Sequence, residues 1–210
     1  MFDRLSQWIG ARVLEVGSGI GNMSCFLADR ELVVLTDTEQ SYRDVLTERY
    51  GDLPNVEVVD LSLPRIPVEV SHRKFDTIVC LNVLEHIDED RDSLAAMRSL
   101  LEIGGHLVLL VPALPAIYGT LDKQLGHFRR YTPQLLRSLY SEVGLAMRRL
   151  EYFNMAGIVG WFVAGRILRR KMIPTGALGV YDKLVPLFQL ERLLPRRIGQ
   201  SLIAIGERSS

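Results

Sequence analysis

The chain has 210 residues, of which 48% are hydrophobic and 24% charged. That is enough for one sizeable α/β domain with its own core, and it excludes a disordered or low-complexity chain. Formal net charge is zero, so no overall field draws the chain to nucleic acid, which is not expected as a partner.

The two cysteines, Cys25 and Cys80, sit in predicted apolar elements, and no spacing suggests a metal site or a disulfide framework. A reducing, cytoplasmic setting is the expectation. The first residues, MFDRLSQWIG, lack the apolar core of a signal peptide. No window reaches the roughly 18 apolar residues of a membrane span; Met155 to Ala164 comes closest and Arg166 ends it.

Short apolar runs alternate with helical patterns, which predicts βαβ units and a parallel sheet. The first strand is Arg12 to Val16, followed by a helix from Gly21 to Asp29. A strand over Leu32 to Thr36 leads to a helix over Glu39 to Tyr50, ended by Gly51. The third strand is Val56 to Val59, and Leu61 to Lys74, with two prolines and no clear period, reads as loop. Phe75 to Leu81 forms the fourth strand and Asp90 to Leu101 a helix; Gly104-Gly105 then turn into a fifth strand, His106 to Val111. Thr132-Pro133 starts a helix that runs to Val143, with Thr as N-cap and Pro in the first turn. Strands follow over Leu145 to Phe153 and Ser201 to Ile205. There are no internal repeats, so one domain spans 1–210.

The strongest local signal is Val13-Leu-Glu-Val-Gly-Ser-Gly-Ile-Gly21, a strand entering three glycines at alternate positions. Such a loop lets backbone approach a ligand at the carboxyl end of a strand, where open α/β sheets bind ligands. The third glycine falls one place too early for a dinucleotide fingerprint. Glu15 precedes the loop, and no Lys or Arg follows until Arg30. A carboxylate there disfavours a pyrophosphate and suits an ammonium or sulfonium group, and S-adenosylmethionine (SAM) carries both. The next strand ends add polar groups in chain order. Asp37 is placed for both ribose hydroxyls, Asp60 for the adenine amino group, and Asn82 closes the fourth strand.

VLEVGSGIG, TDTE, VVDLS and FDTIVCLNVLEH together resemble the successive motifs of class I SAM-dependent methyltransferases, over residues 10–112. The resemblance implies a Rossmann-like methyltransferase fold: a doubly wound, seven-stranded, mostly parallel sheet whose last strand is antiparallel. It implies SAM as cofactor. Glu15, Gly17, Ser18, Gly19 and Gly21 would hold the methionine portion. Asp37 with Thr38 would bind ribose, Asp60 with Leu61 adenine, and Asn82 with Val83 would lie near the carboxylate and sulfonium.

Beyond the fifth strand, Tyr118 to Tyr131 reads YGTLDKQLGHFRRY, a polar, aromatic loop on the cofactor edge of the sheet. His127, as a histidine, is the candidate catalytic base. Arg129 and Arg130 suit a carboxylate or phosphate on the acceptor. Asp122 can orient His127 or pair with an arginine, and Tyr118 and Tyr131 complete the substrate-binding set. GHFRRY resembles a GHxRRY signature in a subgroup of bacterial methyltransferases associated with glycosyltransferases and lipid-linked sugar pathways. His86, on the turn after the fourth strand, reads as a wall residue.

Residues 155–198 mix eight Lys or Arg and two acids with many apolar side chains. Two short helices inserted before the last strand fit this pattern. They would form a lid over the substrate, or an interfacial pair touching an anionic membrane. The expected function is methyl transfer from SAM to a small-molecule or lipid-linked acceptor, most simply at oxygen. A non-catalytic SAM-binding partner and an NAD-dependent oxidoreductase are the rival readings.

Overall fold

The computed structural model describes residues 2–154 and 198–209. The inserted segment expected over 155–198 therefore lies outside the described residues, apart from Ile198. Seven strands form one sheet: β1 (Arg12–Val16), β2 (Leu32–Asp37), β3 (Val56–Asp60), β4 (Phe75–Leu81), β5 (Leu101–Pro112), β6 (Leu145–Phe153) and β7 (Ser201–Arg208), in the order β3-β2-β1-β4-β5-β7-β6. Strands β1 to β5 pair in parallel. β7 runs antiparallel between β5 and β6, as expected for the last strand. Strand order reverses at β1, between β2 and β4, which is where a doubly wound sheet opens a crevice.

Helices cover the sheet: α1 (Phe2–Leu5), α2 (Gln40–Tyr50), α3 (Val68–Ser71), α4 (Asp90–Leu100), α5 (Thr120–Gln124) and α6 (Pro133–Glu142). The strands bury side chains on both faces, as parallel strands under helices do. Leu107, Leu109 and Val111 face a cluster with Leu94 and Met97 of α4 and Leu136 of α6. Val108 and Leu110 face the other, with Leu5 and with Leu46 and Tyr50 of α2. Each fully buried leucine or valine in these clusters is worth about 1.5–3 kcal/mol. Asp90 and Asp92 in the first turn of α4 complement its dipole. Thr132 caps α6 by accepting the Leu135 amide at 3.1 Å, with Pro133 at the first position.

Three local expectations differ from the structure. The helix expected over Gly21 to Asp29 is a set of turns around a short 3-10 segment, Ser24–Phe26. Gly19 and Gly21 are in the left-handed region and Ser24 donates its hydroxyl to Glu15, so short polar side chains compete with a helical ladder there. The loop expected over Leu61 to Lys74 contains α3, started after Pro67. β5 begins at Leu101 rather than His106: its pairing with β4 jumps from Phe75↔Leu101 to Thr77↔His106. Glu102 to Gly105 are absorbed as a bulge, with Gly104 at φ 82°, rather than as a turn preceding the strand.

Candidate active site

The glycine loop leaves β1 and returns under β2. The Ser18 amide donates to the Thr36 carbonyl at 2.7 Å, and the Thr36 hydroxyl donates to the Glu15 carbonyl at 2.8 Å. Gly17 has φ +69°, and a Cβ there would meet Val83 Cγ2 at 2.3 Å, so the loop packs against the chain leaving β4. Gly19 has φ +56° with nothing within 4 Å of a Cβ position; its backbone is open to a ligand. Asn82, at φ 56°, supplies a turn that asparagine tolerates and β-branched residues do not. Its amide donates to Leu110 at 2.8 Å.

Gly17, Gly19, Asp37, Thr38, Asn82 and Val83 all line one cleft of about 950 Å3 at the carboxyl ends of the strands, and Leu61 joins them. Asp37 is 8% exposed, accepting the Gly19 amide at 2.9 Å and the Glu39 amide at 3.0 Å. It thus ties the glycine loop to the start of α2. Four carboxylates, Asp37, Glu39, Asp88 and Glu89, line this cleft and no Lys or Arg does among the described residues. Apolar Val16, Leu61, Leu63 and Ile87 supply the remaining wall. This donor set fits SAM: carboxylates for ribose hydroxyls and a sulfonium, open glycine backbone for the amino-acid end, aliphatic side chains for a base. It is a poor fit for a pyrophosphate, which needs positive charge.

Not every expected cofactor residue reaches that wall. Glu15 is buried beneath the loop, with Ser24 Oγ donating to its Oε2 at 2.5 Å. Burial raises its carboxyl above the ordinary value, opposed by the hydrogen bonds of Ser24 and Ser18. Ser18 and Gly21 belong to the loop but do not line the cleft; Tyr50 donates to the Gly21 carbonyl at 2.9 Å. Asp60 lies outside the cleft wall, in an adjoining hollow. Its carboxylate meets the Arg43 guanidinium at 3.2 Å, so Leu61 and Ser62, not Asp60, reach the cleft. Tyr42, Glu39 and Phe128 line the cleft unexpectedly.

The acceptor-side loop is folded largely upon itself. Asp122 is fully buried and meets His127 Nδ1 at 3.0 Å and Arg130 Nε at 2.7 Å. Burial opposes its charge, but hydrogen bonds from His127, the Gly119 amide and Arg130 outweigh that and hold its carboxyl down at about 2. Arg130, 3% exposed, also donates to the Ala113 carbonyl at 2.8 Å. Arg129 pairs with Asp88 and, at 3.0 Å, with Asp90. Tyr131 is fully buried against Asp90 and Leu84, and the Tyr118 hydroxyl donates to the His127 carbonyl at 2.7 Å. The arginines expected to clamp the acceptor therefore pair with carboxylates of the fold, because each has an acid within reach.

His127 is 9% exposed and stands behind His86, the two rings edge to face at 4.8 Å. His86, expected only as wall, is the imidazole that lines the cleft. Burial, and then the neighbouring His127, lower its pKa. The signal for it was present in NVLEHI: a histidine placed just after a strand end at the ligand edge.

Residues 14–107 match a family model described as a methyltransferase domain. Among solved structures, the chain resembles a Bacillus halodurans C-125 protein assigned as a methyltransferase, with TM-score 0.70 and 17% identity, covering 100% of this chain and 99% of that one. It also resembles the N-methyltransferase NodS from Bradyrhizobium japonicum WM9 in complex with S-adenosyl-L-homocysteine, with TM-score 0.64 and 15% identity over 98% of this chain and 82% of that one. Among curated proteins, it is 26% identical over 157 residues to an uncharacterized 37.1 kDa protein in transposon TN4556 of Streptomyces fradiae, which takes in 71% of this chain and 44% of that protein. It is 33% identical over 104 residues to the tRNA U34 carboxymethyltransferase of Syntrophotalea carbinolica, 48% of this chain and 32% of that protein. The chain thus spans less than half the length of these curated relatives. Residues 14–107 thus resemble a methyltransferase domain, and the chain shares the fold of these solved structures.

Proposed function

We propose that this chain transfers a methyl group from SAM to a small-molecule or lipid-linked acceptor, with oxygen as the atom methylated. The observation that carries the reading is the cleft at the strand ends, bordered by Gly17, Gly19 and Asp37, lined by four carboxylates and no Lys or Arg among the described residues. The cofactor supplies an activated methyl, so the protein's part is to position and desolvate. Asp37 holds the glycine loop in place and presents its carboxylate to the ribose. Leu125 and Phe128 shield the outer cleft beside His86. His86 is kept neutral at physiological pH by its surroundings, and His127, held by Asp122, backs it. An imidazole at this wall serves an acceptor hydroxyl, which must lose a proton. The GHFRRY loop and the basic, apolar composition of 155–198 favour a lipid-linked acceptor.

Transfer of label from methyl-labelled SAM into a bacterial lipid or small-molecule extract tests the reading. Label that partitions with lipid and resists mild base, as an ether does, is the expected result. Calorimetry with S-adenosylhomocysteine showing no heat, with no label transferred, would remove it. Sedimentation with anionic vesicles that weakens with salt is expected if 155–198 touches a membrane.

Among the described residues no helix is long and apolar enough to cross a membrane.

A further inference from the structure

One cluster at the acceptor end has no part in holding the nucleoside. Glu85 and His86 sit on the 3-10 turn Leu84–His86 that follows β4, and His127 reaches them from the loop after α5. A donor atom from each of the three lies within 4.8 Å of the others. Glu85 is 1% exposed, yet its Oε2 is buried with no hydrogen-bond partner. Native folds rarely leave such a carboxylate oxygen unsatisfied. The nearby cation, Arg130, is already engaged by Asp122 at 2.7 Å. Asp122 also meets His127 at Nδ1, 3.0 Å away. A carboxylate behind a histidine is the arrangement that orients metal-ligating imidazoles.

We propose that Glu85, His86 and His127 bind one divalent transition ion of the zinc class, with an open coordination position toward the cleft. Two imidazoles and one carboxylate form the ligand set of hydrolytic zinc sites and of facial-triad sites, both of which keep a position for substrate. Calcium and magnesium prefer all-oxygen cages and are disfavoured here. Zinc bound at about 2.0–2.1 Å sets its ligands roughly 3.3 Å apart, so closing from 4.8 Å takes small rotations. His86 itself is exposed, and its ring is hydrogen-bonded to backbone at Gly126 and Leu125. His86 lines the cleft, so an acceptor oxygen at the open position would be made more acidic. That last role rests on the methyl-transfer reading; the binding of the ion does not.

The test is a titration of tag-free, chelator-stripped full chain with Co2+, a coloured stand-in for zinc, followed by visible absorption and then by Zn2+ competition. One ion per chain is expected, with affinity at least about tenfold weaker in Glu85→Gln and in His86→Ala. No ion bound by the wild type, or unchanged affinity in both variants, would overturn the site. If Glu85→Gln does not fold, His86→Ala, at an exposed side chain, decides alone. S-adenosylhomocysteine calorimetry on the same protein separates the two readings. Heat from it without Co2+ binding removes the ion and leaves the methyltransferase, and Co2+ binding without that heat does the reverse.

Discussion

The two halves of the cleft are built on opposite plans. On the nucleoside side, β1, β2 and the turn after β4 each deliver a polar group straight from a strand end into the open space: Gly19, Asp37, Asn82. On the acceptor side, the polar residues of 118–131 mostly satisfy each other, and Asp122 gathers His127, Arg130 and the Gly119 amide around one buried carboxylate. The first half is a surface for a ligand. The second is a scaffold whose charged side chains pair with one another and set His127 beside His86.

The sharpest break between the plans is expected in Arg130. Arg130→Ala leaves Asp122 charged and buried beside one partner fewer, and removing one member of a buried pair costs about 3–5 kcal/mol. Urea unfolding should show that loss. Arg129→Ala, one residue along and a third exposed, should cost no more than about 1 kcal/mol. Equal losses from the two would mean that Arg130 is not the internal strut described here.

On the nucleoside side the same kind of substitution should cost cofactor affinity as well as the stability held in the loop's hydrogen bonds. Asp37→Ala removes a charged acceptor from the ribose and releases the Gly19 amide, so about 1.5–3 kcal/mol is expected, roughly tenfold to a hundredfold in Kd for S-adenosylhomocysteine. Calorimetry measures it directly. Unchanged affinity would detach Asp37 from the ligand.

How legible each half is in the sequence follows from this contrast. The strands, their order of use and the glycine loop are written in local patterns: short continuous apolar runs, then Gly17 to Gly21, then Asp37. Each of those residues acts near its own position in the chain. Which arginine meets which acid is not local. Asp122 and Arg130 are eight residues apart and could as well have faced substrate; the fold brings them together, with Arg130 also donating to the Ala113 carbonyl. Asp60 escaped for the same reason, because Arg43 reaches it from α2. Nothing in the spacing of Glu85, His86 and His127 resembles a metal motif, since two come from one turn and one from a distant loop. The bulge at Glu102 to Gly105 was equally hidden, because two glycines suit a turn and a strand irregularity alike.

Within the glycine loop a pair of substitutions sharpens the account further. Gly19→Ala meets open space and incurs only the left-handed backbone penalty of about 1–2 kcal/mol. Gly17→Ala adds a contact of 2.3 Å with Val83 and should lower thermal stability beyond that, with cofactor affinity falling in step. Equal behaviour of the two variants would mean that the loop does not rest on the chain leaving β4.

The smallest expected effect is the pH dependence that Glu15 gives to folding. Burial raises its carboxyl above the ordinary 4.5, so the folded chain keeps this proton over a range where the unfolded chain has released it. Its contribution to stability is complete below the unfolded value and declines as pH rises through the folded one. Glu15→Gln carries no such proton. Urea unfolding of both proteins, from about pH 4.5 to 7, should find the wild type losing stability relative to the variant as pH rises. Parallel stability curves would mean that Glu15 is hydrated in the folded chain, and the loop would then need another element to close its underside.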